Sequence, residues 1–336
     1  MSTAPIRRRG FNLPEMFLGP DDLRWADMIR GPRGRFRETD FAWIAEWGFN
    51  FVRLPLSYRW WAGADDPDRI NEAALAPVDE AVTWAERCGL RLALALHHAP
   101  GFCINPPPRP DRFDLWRDAE ARGCFEQHWQ TLARRYRGIA PERLEFNLLN
   151  EPAHCTPAEH EPVMRAAIRA IRAISPARAI LLDGRAAGTT PCSELADVPD
   201  SIQCCRGYWP AEVTHHMAWW ASEPSLTPAW PMRLADGAEA TRESLRARFA
   251  PWRELSAQGV PVLCGELGAW HRTPHAVFLR WLEDQLDVLR EFGCGWALWN
   301  FRGSFGVLDS TRTDVAYEDW HGVPLDRALL TLLQRF

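Results

Sequence analysis

A single closed (β/α)8 barrel is the fold this sequence predicts, and three observations carry that expectation. Eight apolar segments of strand length recur along the 336 residues. Stretches of helical periodicity separate most of them, and no shift in composition, internal repeat or low-complexity run marks a second regime. One catalytic barrel domain spanning residues 1–336 follows, and a chain of this size can bury a large core.

In chain order, Arg9-Gly10-Phe11-Asn12-Leu13 is the first strand. Glu38 to Trp47 sets Phe41, Ile44 and Ala45 on one side of a helix that Gly48 ends. Phe49 to Pro55 is the second strand. A helix from about Leu75 to Cys88 stops at Gly89, and Leu90 to His97 is the third strand. The proline-rich loop 100–110 leads to a long helix ending near Arg137. Leu144 to Glu151 is the fourth strand, ending at a carboxylate because Pro152 biases its predecessor away from helical backbone. A helix over Pro162 to Ile174, a fifth strand over Ala179 to Gly184 and a weaker sixth over Ile202 to Cys205 come next. Tyr208 to Ala240 lacks helical periodicity and reads as an excursion on the substrate side. The helix Thr241 to Leu255, the strand Val260 to Glu266, the helix Thr273 to Phe292, the strand Gly295 to Phe301 and the helix Leu325 to Leu333 complete the barrel.

Composition narrows the chemistry. The net charge of −5 argues against nucleic acid or an acidic membrane surface as the main partner. All 39 basic residues are arginine, so Schiff-base, pyridoxal-phosphate and P-loop lysines are excluded together. No secretory signal or membrane-spanning run is legible, and the nine cysteines lack any C-x-x-C pair. They read as reduced thiols, and the expected location is cytoplasmic. Eighteen tryptophans exceed what a core alone requires and suit a cleft that stacks flat ligands.

In this register the strand ends carry Asn12, Arg53, His97, Asn150, Glu151, Tyr208, Glu266 and Trp299. Glu151 and Glu266 close strands four and seven, which face each other across an eight-stranded barrel. Two such carboxylates suit glycosidic bond cleavage, retaining at a separation of about 5–5.5 Å and inverting at roughly 6.5–9.5 Å. One must stay protonated as acid while the other is ionised, and Arg53 beside Glu266 favours the ionised form. Neighbouring strand residues point to opposite faces, so for Asn150 and Glu151 both to serve a site the strand must bulge or break there. By the same rule His97 faces inward and His98 does not. Blander readings cover much of the rest. Trp43, Trp47, Trp84, Trp129 and Trp281 pack helices, whereas Trp60, Trp61, Trp209, Trp220 and Trp270 lie in loops beyond strand ends, where some stack on sugar. Cys204 and Cys205 are core thiols. His271 and His275 have metal-ligand spacing but no third ligand, and Gly184 to Thr190 lacks the order of a phosphate loop.

Several motifs together resemble glycoside hydrolase family 5, the cellulase family. They are Arg9-Gly10-Phe11-Asn12-Leu13, His97-His98-Ala99-Pro100-Gly101, Asn150-Glu151-Pro152, Tyr208-Trp209-Pro210 with Thr214-His215, Gly265-Glu266-Leu267-Gly268 and Trp296-Ala297-Leu298-Trp299-Asn300. The likeness runs from about residue 9 to residue 315 and is greatest to a bacterial branch of endoglucanase-like proteins. It implies a retaining double displacement with Glu151 as acid/base and Glu266 as nucleophile, on β-linked glucan or mannan chains or oligosaccharides, with no cofactor or metal. It further implies that Asn150 bonds the sugar 2-hydroxyl, that Arg53 and Tyr208 surround the nucleophile, and that His97 and Trp299 line the glycone subsite. A cis peptide at Trp299-Asn300 is expected. Arg206 departs from the family, which usually has histidine there to hydrogen-bond the acid/base; a guanidinium would lower that acid's pKa. Either Arg206 turns elsewhere or another group, His154 or His215, tunes the acid. Arg206, His215, Asn12 and Trp270 join the candidate substrate contacts. Alternatives are a β-mannanase, β-mannosidase or other exo-acting β-glycosidase, and a non-catalytic carbohydrate-binding barrel. An aldolase-type barrel is disfavoured by the missing lysine.

Overall fold

The computed structural model describes residues 7–26, 28–221 and 226–336. Eight parallel strands close a barrel: β1 (Arg9–Asn12), β2 (Phe51–Ser57), β3 (Arg91–Ala99), β4 (Leu144–Asn147), β5 (Ile180–Asp183), β6 (Ser201–Gly207), β7 (Val262–Leu267) and β8 (Gly295–Leu298). Each pairs with its sequence neighbours, and β8 returns to β1, so no strand edge in the ring stays open. Seven long helices cover the outside: α1 (Glu38–Glu46), α2 (Ala76–Arg87), α3 (Ala119–Arg135), α4 (Pro157–Arg172), α5 (Arg242–Ala257), α6 (His275–Glu291) and α7 (Arg327–Gln334). Among the described residues, no helix is long and apolar enough to cross a membrane.

Period-two alternation sorts the interior into layers. At the amino-terminal end Glu145 is fully buried and held by Arg8 and Arg91. Above it lies an apolar layer of Phe51, Ala93, Leu181, Ile202, Cys204, Leu263 and Ala297. Two residues beyond Phe51, Glu145, Leu181 and Cys204 come Arg53, Asn147, Asp183 and Arg206, so the carboxyl-terminal mouth is floored by buried polar groups. Strand β7 would break this alternation, since Leu263 already faces inward. A register shift between Cys264 and Glu266 adds a residue at Gly265 and turns Glu266 into the mouth.

Two expectations need correction. The fourth strand ends at Asn147, four residues before Glu151. Beyond it Leu148 and Asn150 donate to the Leu181 and Leu96 carbonyls on opposite sides, and Glu151 turns to φ 49°, a left-handed conformation outside any strand. Helix α4 starts five residues before Pro162, because Thr156 and Glu159 form a capping box that nucleates the turn upstream of the proline. The excursion after Tyr208 contains a helical turn, Ala211–Thr214, and a hairpin of Met232–Arg233 with Glu239–Ala240.

Helix α3 fixes the segment that carries Glu151. Trp129 is fully buried against Phe146, with ring centroids 5.1 Å apart, and its indole N–H donates to the Leu148 carbonyl at 3.2 Å. Trp129→Ala therefore empties an indole-sized volume and frees that carbonyl. A loss of about 3–5 kcal/mol is expected in urea unfolding monitored by circular dichroism.

Candidate active site

Two guanidinium groups organise the mouth. Arg53 donates through Nη1 to Glu266 Oε1 at 2.6 Å and Asn12 Oδ1 at 2.9 Å, through Nε to Asn147 Oδ1 at 2.8 Å, and through Nη2 to Asn150 Oδ1 at 2.8 Å. Arg206, whose register partner across the sheet is Glu266, donates through Nε to Glu151 Oε1 at 2.8 Å and through Nη2 to Asn150 Oδ1 at 2.8 Å. The same Nη2 bonds Asp183 and lies 3.3 Å from Glu266 Oε1. One buried guanidinium therefore touches both carboxylates. Asp183 also accepts from the Asn147 amide at 2.9 Å and the Glu151 backbone N–H at 3.0 Å.

The two glutamates stand in unequal surroundings. Burial, then the Glu266 charge, pushes the Glu151 carboxyl up to about 7, with Arg206 acting in the opposite direction and Asp183 adding to the rise. Among the described residues, the hydrogen-bond and ion-pair partners of the Glu266 carboxylate are donors: Arg53, Arg206 and the Tyr208 hydroxyl, which donates to Oε2 at 3.2 Å. Burial also pushes His97 and His215 down to about 4, so both imidazoles are neutral near pH 7. With Nε2 donating to Asn105 Oδ1 at 2.8 Å, His97 Nδ1 is an acceptor without a partner among the described residues. Asn150 Nδ2 is likewise a buried donor without a partner among them, while both arginines donate to Asn150 Oδ1.

Glu151 and Glu266 line one cavity with Phe17, Trp25, His97, Tyr208, His215 and Trp299. Trp299 forms its flat wall, lying 5.9 Å from the His97 ring at 28° with its N–H on the Met28 sulfur, and the Trp299-Asn300 peptide is cis. Glu151, Tyr208 and His215 also line a second cavity of about 280 Å³ toward Trp209, Trp252 and Arg248. The two spaces meet at Glu151.

Several expected contacts sit elsewhere. Asn12 is fully buried and spans from Arg53 to the Gly265 carbonyl at 2.9 Å, and Arg53 is buried in the floor, so neither is among the residues that line the cavity. Trp270 lies one ring further out, 4.7 Å from Trp220, and lines a separate outer pocket with Met217 and the half-exposed Trp219. Arg206 does not turn away from the acid, and His154 is exposed. Trp60 and Trp61 pack inside, their N–H groups on the Leu18 carbonyl and on His128. His98 bonds Ser57 and Asp111 behind the site. His271 and His275 pair separately with Thr311 and Asp326. Sequence reasoning missed Asp183, Asn147 and Asn105. The first two were detectable as polar residues two positions beyond an inward-facing strand residue. Among the described residues one group has metal-ligand spacing, His160, Cys192 and Glu194, but Arg185 already donates to the same Glu194 oxygen at 2.9 Å.

A parallel (β/α)8 barrel with paired carboxylates at its carboxyl-terminal mouth is the architecture of a glycoside hydrolase. A family profile described as cellulase, glycosyl hydrolase family 5, matches residues 25–304, and the chain belongs to that family. Endoglucanase C of Acetivibrio thermocellus is 26% identical over 307 residues, covering 84% of this chain and 88% of the relative. Cellodextrinase A of Ruminococcus flavefaciens is 28% identical over 264 residues and covers 76% of each. Among solved structures, one titled as a glycoside hydrolase superposes with TM-score 0.91 at 33% identity over 98% of this chain and 99% of the other. Cel5A of Thermotoga maritima in complex with mannotriose superposes with TM-score 0.76 at 25% identity, over 98% and 97%.

Tyr208→Phe removes one hydroxyl from Glu266 and nothing from the fold's core. A hydrogen bond to a charged group is worth about 1.5–3 kcal/mol, so kcat should fall roughly 10- to 100-fold with an unchanged circular dichroism spectrum.

Proposed function

We propose that this glycoside hydrolase works by retaining double displacement on β-linked glucan or mannan chains or oligosaccharides, in the manner of an endoglucanase. The observation that carries the reading is Arg206, within 3.3 Å of both Glu151 and Glu266, which supports carboxylates close enough to act on one glycosidic bond. Glu266, surrounded by donors, attacks the anomeric carbon as nucleophile. Glu151, kept protonated by burial, gives its proton to the departing glycosidic oxygen as that bond breaks. In the second half, Glu151 takes a proton from water, and the hydroxide displaces Glu266 from the sugar.

The free donor on Asn150 and free acceptor on His97 suit sugar hydroxyls, which would satisfy two buried polar atoms otherwise left alone. Trp299 supplies the apolar face under the same ring, and the cavity toward Trp209 and Trp252 receives the leaving portion. The mannan reading keeps support from Cel5A of Thermotoga maritima, which is seen with mannotriose as well as with cellobiose. All nine cysteines are free thiols, which supports cytoplasmic action on imported oligosaccharides.

Glu266→Ala should lower turnover of an activated aryl β-glycoside by roughly 10⁴-fold or more, with azide restoring it and giving a product of inverted configuration. An unaffected rate removes Glu266 from the nucleophile role. Glu151→Ala should cost about 10²–10⁴-fold on poor leaving groups and far less on activated ones; equal losses count against an acid role. Because the acid form of Glu151 is present only below its raised value, kcat/KM of the parent enzyme should fall as pH rises through about 7.

A further inference from the structure

Arg206 poses an electrostatic problem that Asp183 answers. A guanidinium buried against a general acid stabilises the ionised carboxylate, the wrong form for protonating a leaving group. Yet Arg206 is built in: Gly188, at φ 75°, would place a Cβ 2.5 Å from Arg206 Cγ, and Gly265 would place one 2.9 Å from its Nη1. Two glycines leave the room it occupies.

The charges of the buried layer resolve the conflict. Arg53 and Arg206 are positive, and Asp183 and Glu266 stand against them within ion-pair distance. These four cancel, so the layer is neutral when Glu151 carries its proton. Uncompensated buried charge is costly, so neutrality favours the acid form. Without the Asp183 charge, the layer is neutral only when Glu151 has lost its proton. We propose that Asp183 is a positioning residue of the reaction, the fixed counter-charge that occupies Arg206 and so leaves Glu151 its proton. This assignment rests on the acid role of Glu151 given above.

The geometry is specific to that task. Asp183 Oδ2 takes both the Arg206 guanidinium and the Glu151 backbone N–H, so one atom sets the charge and holds the residue in its left-handed turn. Other groups facing Glu151 do not substitute for it. Glu266 on β7 is already bonded by Arg53 and Tyr208. From β2, Arg53 reaches the adjacent Asn150, and from beyond β3 comes the Cys103 thiol, pushed up by burial. Tyr208 and the neutral His215 follow β6, and Arg248 of α5 lies at the far cavity with its guanidinium 5.0 Å from the Trp209 ring.

Asp183→Asn keeps the shape and one acceptor while removing the charge. The alkaline limb of kcat/KM should move to lower pH by about one unit, and the Glu151 carboxyl resonance in ¹³C-glutamate-labelled protein should titrate lower by the same amount. Arg206→Gln should shift both the opposite way, and the double variant should return both toward the parent, since it restores the neutral count. The proposal is overturned if folded Asp183→Asn titrates like the parent. It is equally overturned if the double variant keeps the single variant's shift, as a merely structural role requires. Should Asp183→Asn not fold, Arg206→Gln alone decides: an unmoved limb and an unmoved resonance sink the assignment. The resonance needs no substrate, so failure of the β-glucan reading and failure of the Asp183 assignment are read separately.

Discussion

The two arginines under the barrel mouth are the constraint from which the rest of the site follows. A guanidinium offers five donors in a fixed plane, and burying it demands acceptors at fixed directions. Arg53 on β2 and Arg206 on β6 are satisfied by Asn12, Asn147, Asn150, Asp183, Glu151 and Glu266, drawn from β1, β4, β5 and β7 or the turn just beyond β4. Glu151 and Glu266 are thus members of a polar layer whose geometry is over-determined by its other members. Below it the apolar layer excludes water, which strengthens each of these bonds. The site is rigid because its supports are buried and mutually bonded.

Much of this was legible in the chain. The eight strands, their order and the closure follow from apolar runs spaced by helical periodicity, and the approach of Glu151 to Glu266 follows from strands four and seven lying three apart in a ring of eight with their ends at one mouth. What escaped depends on parity. A period-two reading of β7 from Leu263 puts Gly265 inward and Glu266 outward, and only the extra residue in the ladder reverses this. Likewise the break after Asn147 was expected as a device near Asn150, but its position depends on carbonyls of β3 and β5 accepting from alternate residues. Those are contacts between elements distant in sequence, which no local pattern encodes. Asp183 escaped for a different reason. A lone aspartate at a strand end looks like any other until Arg206 is known to point at it.

Arg206 also shows how a departure from a family pattern can be absorbed. The expectation was a simple one: a cation beside the acid lowers its pKa, so either Arg206 turns elsewhere or another group, His154 or His215, tunes the acid. Arg206 stays, bonded to Glu151. Desolvation and the like charge of Glu266 oppose the guanidinium, and Asp183 takes part of its field. Burial works against the charge of Arg206 itself, but Asp183, Glu266 and Glu151 together hold its pKa well above the ordinary range. The guanidinium is therefore a permanent charge around which the acid is tuned, whereas a histidine in that place could itself change protonation.

Division of labour between floor and loops then explains why the reaction class is better defined than the sugar. On the proposed mechanism, everything that moves a proton or forms a bond stands on a strand or within four residues of a strand end. The groups that would read a sugar's substituents lie in excursions: Trp25 and Met28 after β1, Asn105 after β3, and His215, Trp219 and Trp220 after β6. Apart from Asn105 these are aromatic or weakly directional groups, and around Trp220 the rings of Trp25, Trp219 and Trp270 pack at 4.7–5.4 Å, the last two edge to face. Aromatic walls favour any pyranose with an apolar face and discriminate poorly between epimers. On the proposed reading, fine selectivity comes from the few directional groups at the cavity, His97 and Asn105 in its lining and the fully buried Asn150 next to Glu151. His97 and Asn150 are held by Asn105 and by the two arginines, so the network that orders Glu151 and Glu266 also orients these two side chains.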